Sequence, residues 1–256
     1  MEPSEYQTMF TVEDRHWWYV GMQQISLALL HQYYGPLDGR FVLDAGCGTG
    51  AAMRYLEPFG RVTGCDYSPL ALAFCRQRGL VRLYQGSVRE LPFGDGRFDL
   101  ITSFDVLYHR SVGDYYTPLA EFHRVLKPGG RLFLRLPAYN WLRAHHDQVI
   151  HTAHRFTTQD LRRAFQKTGF LPEKLTYANT LLFPLALFSR LAERLRPPQG
   201  ETSDVKPNPP WLDNLLVRFL RAEARWLVRH NLPYGLTVIA IGRKPEAKDP
   251  SGPDGT

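Results

Sequence analysis

The sequence predicts an α/β fold in which a parallel sheet carries helices on both faces. Between residues 41 and 136, five short apolar runs alternate with segments of helical character, an order that is typical of such a sheet. The first run ends in a turn with three glycines, and a Pro-Gly-Gly turn precedes the fifth. A further helix at 157–168 and a strand near 171–177 extend the predicted core to residues 41–178.

The turn after the first strand has the composition of a ligand-binding loop. Gly46, Gly48 and Gly50 stand at alternate positions, and glycine permits a positive φ and the close approach of a ligand to the backbone. Asp44 precedes them, and Asp66 ends the second apolar run. An acidic residue at that distance is placed to hydrogen-bond the ribose hydroxyls of an adenosine ligand. The simpler alternative is a tight strand-to-helix turn that holds no ligand.

The carboxylate of Asp44, which precedes the glycines, helps to decide between a dinucleotide and a cationic adenosine ligand. A dinucleotide site has the spacing G-x-G-x-x-G, with the pyrophosphate on the helix N-terminus. Here the spacing is G-x-G-x-G, and the carboxylate of Asp44 would repel a pyrophosphate. The pattern therefore favours a cationic ligand.

The run Val-Leu-Asp-Ala-Gly-Cys-Gly-Thr-Gly at 42–50 resembles the first motif of the class I S-adenosylmethionine (SAM) methyltransferases. Segments at 85–93, 98–109 and 122–136, the last with Leu-Lys-Pro-Gly-Gly, resemble later motifs of the family in the expected order. The resemblance implies a Rossmann-like, seven-stranded methyltransferase sandwich, with strands six and seven antiparallel at one edge.

The resemblance also implies SAM as the cofactor. In the family, the carboxylate before the glycines faces the amino-acid end of SAM, and a residue of the third segment meets the adenine. Ser87 stands where the family usually carries Asp. The predicted cofactor-binding residues are Trp18, Asp44, Gly46, Cys47, Gly48, Asp66, Tyr67, Ser87, Val88 and Phe104.

His109, just beyond the fourth strand, is the predicted catalytic residue. A protic acceptor must lose its proton during methyl transfer, and histidine often removes it. The alternative is that His109 orders its loop together with Asp105. Tyr108 occupies a place where relatives often carry Glu, and it is predicted to contact the substrate.

Residues 1–40 are predicted to form an N-terminal helical cap. The run Glu-Asp-Arg-His-Trp-Trp-Tyr at 13–19 resembles the Glu-x-x-His-Trp-Trp-Phe opening of a bacterial methyltransferase subfamily. One interpretation is a lid that packs on the sheet edge. The other is a cap over the ligand, with His16 or a tryptophan N–H at its methionine end.

A histidine-rich segment follows the fifth strand and resembles a second motif of that subfamily. His146, His154 and Arg155 are predicted to line the substrate site. The histidines at 145, 146, 151 and 154 raise the alternative of a metal site. No metal is predicted, because no cysteine is nearby and the motif explains two of these positions.

Residues 179–232 are predicted to be a helical insertion, followed by the last core strand at 233–244 and a disordered tail at 245–256. Apolar residues of 211–229 share one broad face, and arginines form another stripe. Ordinary packing helices would explain this pattern. The sharper hypothesis is peripheral contact with an anionic membrane, because basic and aromatic amphipathic helices lie in the lipid interface.

The composition indicates a folded domain and favours one cellular compartment. The 256 residues are 44% hydrophobic, enough for a packed core, and carry a net charge of +6. Three cysteines without metal-ligand spacing favour a reducing cytoplasm, with the inner membrane face as a further hypothesis. No apolar run has the length needed to span a bilayer.

The predicted function is transfer of the SAM methyl group to an oxygen or nitrogen of a small-molecule or lipid-like acceptor. One alternative is a SAM-binding partner protein without catalysis. Another is an RNA methyltransferase, but the chain lacks an appended RNA-binding module and an Asn/Asp-Pro-Pro-Tyr motif. Nucleic acid is therefore the less favoured partner.

Overall fold

A computed structural model describes residues 3–35, 39–143, 152–184, 187–188 and 208–246. Within these ranges, seven strands form one sheet in the order β3-β2-β1-β4-β5-β7-β6. The strands are β1 (Phe41–Ala45), β2 (Arg61–Asp66), β3 (Leu83–Gln85), β4 (Phe98–Phe104), β5 (Leu126–Pro137), β6 (Leu171–Ala178) and β7 (Thr237–Arg243).

The first five strands are parallel, and β7 pairs antiparallel with both β5 and β6. This is the seven-stranded sandwich that the sequence predicted, with its antiparallel pair at one edge. Because β1 lies between β2 and β4, Asp44 stands beside Gly64 on one side and Thr102 on the other. The carboxyl ends of the parallel strands meet at one edge, where open α/β sheets bind their ligands.

Seven α-helices that lie wholly within the described ranges accompany the sheet. They are α1 (Pro3–Val12), α2 (Trp17–Tyr33), α3 (Ala51–Leu56), α4 (Pro69–Gln77), α5 (Tyr116–Val125), α6 (Thr158–Thr168) and α7 (Pro210–Arg229). Helix α6, predicted over 157–168, begins one residue later, because Thr157 is its N-cap and forms a reciprocal capping box with Asp160; Gly169 is its C-cap. The expected alternation of strand and helix fails once, because residues 86–97 connect β3 to β4 through turns.

The central strands are buried on both faces, which explains their apolar runs, whereas Tyr84 and Gln85 of the edge strand β3 are exposed. One core layer includes Leu43, Ile101 and Leu134, and the other includes Val42, Leu100 and Phe133. Successive residues of a strand point to opposite faces, so each strand contributes to both layers.

Helices α2 and α7 pack against each other and cover the second layer. Gly21 of α2 faces Leu220 of α7, and a Cβ atom at Gly21 would lie 2.0 Å from Leu220 Cδ1. The buried carboxylate of Glu223 accepts backbone hydrogen bonds from Asn179, Thr180 and Leu181. These contacts join the N-terminal cap, α7 and the end of β6.

The broad apolar face predicted for 211–229 is buried along only one of its sides. Leu220, Ala224 and Leu227 are buried, whereas Trp211, Leu215, Phe219 and Trp226 are exposed. The apolar residues therefore divide between two sides of α7, because α2 covers only one of them.

Some predictions fall on parts of the chain that the structure does not describe. His146 and most of the histidine-rich segment lie in 144–151, and much of the insertion lies in 189–207. Nearly all of the predicted tail lies in 247–256, also outside the described residues. Among the described helices, none combines the length and apolar character that crossing a bilayer requires.

Candidate functional site

A cavity of about 1510 Å³ opens at the carboxyl edge of the parallel strands. Its walls come from α1, α2, the glycine turn and the ends of β2, β4 and β5. Sites for one small ligand usually measure about 300–1,000 Å³. The cavity therefore has room for a cofactor and a second molecule beside it.

The glycine turn forms the floor at the end of β1. Gly46 has φ 82°, and a Cβ atom there would lie 2.3 Å from Val106 Cγ2. Gly48 and Gly50 also have positive φ, at 54° and 88°. The backbone N–H groups of Gly46 and Cys47 both donate to Cys65 O. The three glycines thus permit a turn that L-residues with side chains rarely adopt.

Asp44 is a buried carboxylate with an unused oxygen. Its Oδ1 accepts a hydrogen bond from Thr102 Oγ1 at 2.8 Å. Its Oδ2 is buried and has no hydrogen-bond partner within the described residues. Burial raises the pKa of Asp44 to about 7, opposed by the Thr102 hydrogen bond and the charge of Arg135. A ligand ammonium group would satisfy this oxygen and stabilise its charged form.

Asp66 ends β2 and is held by backbone donors. Gly48 N donates to one carboxylate oxygen and Ser68 N to the other, each at 2.9 Å. Burial raises the pKa of Asp66, and these two hydrogen bonds oppose the rise. A carboxylate has about four acceptor sites, so lone pairs are left for ligand hydroxyls. The arrangement suits a vicinal diol such as that of ribose.

Asp105 follows β4 and faces the cavity in a left-handed conformation, with φ 59°. Its Oδ2 accepts hydrogen bonds from Nε and Nη2 of Arg135 on β5. The guanidinium of Arg135 also lies over Phe104, 4.7 Å from the ring centroid, and 5.5 Å from that of Trp18. This ion pair was not foreseen from the sequence, because its partners are 30 residues apart.

His109 lines the same cavity and caps a short 3₁₀ turn, Arg110–Val112. Its Nδ1 accepts from Ser111 N at 3.2 Å and lies 2.8 Å from Ser111 Oγ. A neutral imidazole whose Nδ1 accepts a hydrogen bond carries its proton on Nε2. In that tautomer Nε2 is a donor, whereas donation from Nδ1 to Ser111 Oγ would leave Nε2 as an acceptor.

Helix α1 closes one side of the cavity, with Tyr6 and Met9 in its wall. The next residues fasten it to the glycine turn: Thr49 Oγ1 donates to Glu13 Oε1, and Arg78 Nη2 donates to the same oxygen at 2.6 Å. Burial raises the pKa of Glu13, opposed first by the Thr49 hydrogen bond and then by the charge of Arg78. The sequence offered no signal for Tyr6 or Met9, which have no motif around them.

The structure brings most of the predicted site residues to this cavity. Those in its wall are Trp18, Asp44, Gly46, Cys47, Gly48, Asp66, Tyr67, Ser87, Val88, Phe104, Tyr108, His109 and Arg155. Tyr67 is 77% exposed and so stands at the rim. His16 also lines the cavity and accepts the Trp18 N–H as the N-cap of α2.

His154 is the described residue whose placement differs from its prediction. It is not in the cavity wall, and its ring packs against Tyr115 and Phe156 at centroid distances of 5.5 and 4.6 Å. The neighbouring Arg155 points the other way, because alternate residues of an extended segment face opposite sides. Arg155 Nη1 donates to Ala138 O at 3.2 Å.

The described residues contain no group of three or more histidine, cysteine, aspartate or glutamate side chains with the geometry of a metal site. The cysteines are free, and Cys47 Sγ lies 4.0 Å from Cys75 Sγ.

Comparison with known proteins agrees with the geometry. Residues 43–134 match the family described as "Methyltransferase domain". Curated demethylmenaquinone methyltransferases of Staphylococcus aureus strains are 40% identical over 104 residues, which cover 38% of this chain. The chain spans only 42% of the length of these relatives.

Solved structures with the same fold extend over most of the chain. A SAM-dependent methyltransferase from Thermotoga maritima covers 94% of this chain and 95% of its own, with a TM-score of 0.60 and 19% identity. Phosphoethanolamine N-methyltransferase 2 from Haemonchus contortus, in complex with SAM, covers 86% of this chain and 52% of its own. Its TM-score is 0.54 and its sequence identity is 20%. The [4+2]-cyclase SpnF covers 88% of this chain and 81% of its own, with a TM-score of 0.56 and 20% identity.

The sheet order, the glycine turn and the family match define a Rossmann-like methyltransferase domain. Residues 43–134 of the chain belong to the class I SAM-dependent methyltransferases.

Proposed function

We propose that this protein binds SAM in the cavity and transfers its methyl group to an oxygen or nitrogen of a small-molecule or lipid-like acceptor. The observation that carries the proposal is Asp44, a residue of the cavity wall near the end of β1 with one buried carboxylate oxygen that has no hydrogen-bond partner within the described residues. Bound SAM presents an ammonium group, which would pair with that oxygen, and a ribose diol, which would pair with Asp66. The two carboxylates lie at the ends of adjacent strands, so one ligand can reach both.

SAM supplies an electrophilic methyl group on a sulfonium that is already a good leaving group, so the protein mainly orients the acceptor and excludes water. Helix α1 and the start of α2 cover the cavity and would exclude water. Asp105 is our proposed proton acceptor, because its Oδ1 has no recorded partner within the described residues while Oδ2 is held by Arg135. His109, the residue proposed from the sequence, would donate a hydrogen bond to the acceptor molecule.

The acceptor side of the cavity is aromatic, with Trp17, Trp18, Tyr19 and Tyr108 in its wall. Rings of this kind pack well against a flat or apolar acceptor. The curated relatives that match 38% of this chain are named demethylmenaquinone methyltransferases. We therefore propose a ring-bearing, lipid-like acceptor as the first class to test.

The proposal requires a test of binding and a separate test of turnover, because the fold also occurs in a [4+2]-cyclase. Isothermal titration should show SAM binding to the wild type and at least tenfold weaker binding to Asp66→Ala. Asp95→Ala, at an exposed carboxylate, is the matched control and should bind normally. Equal binding by both variants would contradict the assigned site.

Turnover is measured as S-adenosylhomocysteine formed from SAM with quinol, phenol, amine and lipid-extract acceptors. Production that depends on one acceptor class and is lost in Asp66→Ala supports methyl transfer. Binding without turnover across all classes would favour the alternative of a catalytically silent SAM-binding partner.

A further inference from the structure

Helix α7 carries an exposed row of large apolar side chains. Trp211, Leu215, Phe219 and Trp226 have exposed fractions of 68%, 41%, 43% and 55%. Their spacing of four, four and seven residues places them along one side of the helix. We refer to these four residues as the outer stripe. Soluble monomers rarely expose contiguous apolar rows, and such surfaces usually mark an interaction site.

The outer stripe is distinct from the packing surface of α7. Leu220, Ala224 and Leu227 form the inner side against α2 and are buried. The close approach at Gly21 and the backbone contacts of Glu223 hold the helix in this orientation. The stripe is therefore presented by a firmly packed helix.

The charge beside the stripe is positive. Arg218, Arg225 and Arg229 are exposed. Their helical positions place them in a row along one edge of the outer stripe, on the side of Trp211. Of the two acidic residues of α7, Glu223 is buried, and the helical position of Asp213 places it on the side of the helix opposite the outer stripe. A shallow depression at the C-terminal end is lined by arginines, Trp226 and His230.

We infer that the outer stripe docks on a bilayer surface that contains anionic phospholipids. Tryptophan and phenylalanine favour the boundary between headgroups and acyl chains, and arginine extends its charged end toward phosphate. A purely apolar stripe would fit a second protein equally well. The flanking row of arginines favours a negatively charged surface, where each basic residue contributes to binding.

The position of α7 relates this surface to the cavity. Helix α7 packs on α2, whose first residues, Trp17 and Trp18, are in the cavity wall. Asp213 is close enough to His16 at the cavity to oppose the lowering of its pKa by burial. Docking would thus bring the cavity rim near the lipid, and an acceptor could enter from the bilayer. That consequence rests on the proposed function, whereas docking itself does not.

Vesicle co-sedimentation of the full chain tests the inference. Vesicles of phosphatidylcholine with phosphatidylglycerol should pellet the wild type, and vesicles of phosphatidylcholine alone should pellet much less. Phe219→Glu/Trp226→Glu should abolish pelleting. Arg218→Gln/Arg225→Gln should weaken it by roughly fivefold per arginine, and added salt should weaken it further.

Matched controls lie on other surfaces. Val81→Glu places a charge at a residue that is 84% exposed, and Arg61→Gln/Arg82→Gln removes two exposed arginines. Both controls should pellet like the wild type. Equal unfolding temperatures would show that each variant is folded. SAM titrations of the same variants report on the proposed SAM site independently of docking.

Absence of wild-type pelleting, equal pelleting with both vesicle types, or wild-type behaviour of the stripe variants would overturn the inference. So would a dimer in solution that the Phe219→Glu/Trp226→Glu variant converts to a monomer without any vesicle binding.

Discussion

Arg135 donates two hydrogen bonds to a single oxygen of Asp105, from Nε at 2.9 Å and from Nη2 at 2.8 Å. The pair joins the ends of β4 and β5 inside the cavity. Arg135 thereby fixes a carboxylate whose backbone adopts a φ of 59°, a conformation that costs free energy outside glycine. Such a cost is usual where a side chain must be held for binding or chemistry.

The first prediction concerns Asp105 and His109. Asp105→Asn keeps the side-chain shape but removes the charge, and we expect turnover to fall by about 100-fold with SAM affinity nearly unchanged. His109→Ala should reduce turnover less, because Nδ1 is already occupied by Ser111. Separate kcat and KM values for the two variants decide the assignment. A larger loss in His109→Ala would restore His109 as the base.

The second prediction concerns the protonation of Asp44. Its pKa of about 7 means that the ligand-free carboxyl is mostly protonated at pH 6 and ionised at pH 8. If the SAM ammonium pairs with the carboxylate, binding should release about one proton at pH 6 and much less at pH 8. Isothermal titration in buffers of different ionisation enthalpy measures this release. Asp44→Asn should bind SAM weakly and release no proton, and unchanged release would contradict the pairing.

The same pKa shift predicts a change in stability. Burial raises the pKa of Asp44 from 3.8 to about 7, so between these values the folded protein binds a proton that the unfolded chain does not. The contribution of this group to stability is therefore fully present below about pH 4 and falls as pH rises toward 7. Ligand-free Asp44→Asn should then unfold at a higher temperature than the wild type at pH 8, and the difference should shrink at pH 5. Thermal unfolding at both pH values measures it.

The third prediction concerns the ion pair that fastens α1. Arg78→Met leaves the carboxylate of Glu13 buried without its cation, and we expect a loss of about 3 kcal/mol in the free energy of unfolding. Adding Glu13→Gln should recover part of that loss, because the buried charge is then removed. Asp14→Asn is the control, since its side chain is 51% exposed and its pair with Arg78 contributes at most about 1 kcal/mol. Urea unfolding of the wild type, Arg78→Met, Glu13→Gln and the double variant gives the double-mutant cycle, and additive losses would refute the coupling.

The fourth prediction concerns the α2–α7 contact. A glycine-to-alanine change inside a helix normally stabilises it by up to about 1 kcal/mol. At Gly21 the added methyl would meet Leu220, so we expect Gly21→Ala to destabilise the protein by about 1–3 kcal/mol. In a Leu220→Ala background the same change should become neutral or stabilising. Gly94→Ala, which has open space around it, is the control, and a stabilising Gly21→Ala in the wild type would contradict the packing.

Local patterns in the sequence were sufficient for the buried parallel strands, the glycine turn and its carboxylates, whereas the seven-stranded order with an antiparallel edge came from the family resemblance. Buried strands produce continuous apolar runs, and the turn requires glycine where φ is positive, as at Gly46. The positions of Asp44 and Asp66 follow directly from the strands that they end. These features depend on neighbours in the chain, so they are visible in its order.

Features that depend on contacts across the chain were not predicted. The Asp105–Arg135 pair and the Glu13–Arg78 pair join residues 30 and 65 positions apart, and no local pattern records such pairs. The division of the α7 apolar residues into an inner and an outer side also followed from the placement of α2. The periodicity of a helix shows which residues share a face, but not how much of that face a neighbouring element will cover.

The sequence alone thus determined the class of fold, the glycine turn with its two carboxylates and about a third of the residues in the cavity wall, because glycine conformation and strand burial are local requirements. Only the tertiary structure decided which oxygen of Asp44 lacks a partner, why His154 turns away, and which side of α7 faces solvent. Each of those properties depends on the atoms that surround a group after the chain has packed, and residues distant in the sequence supply those atoms.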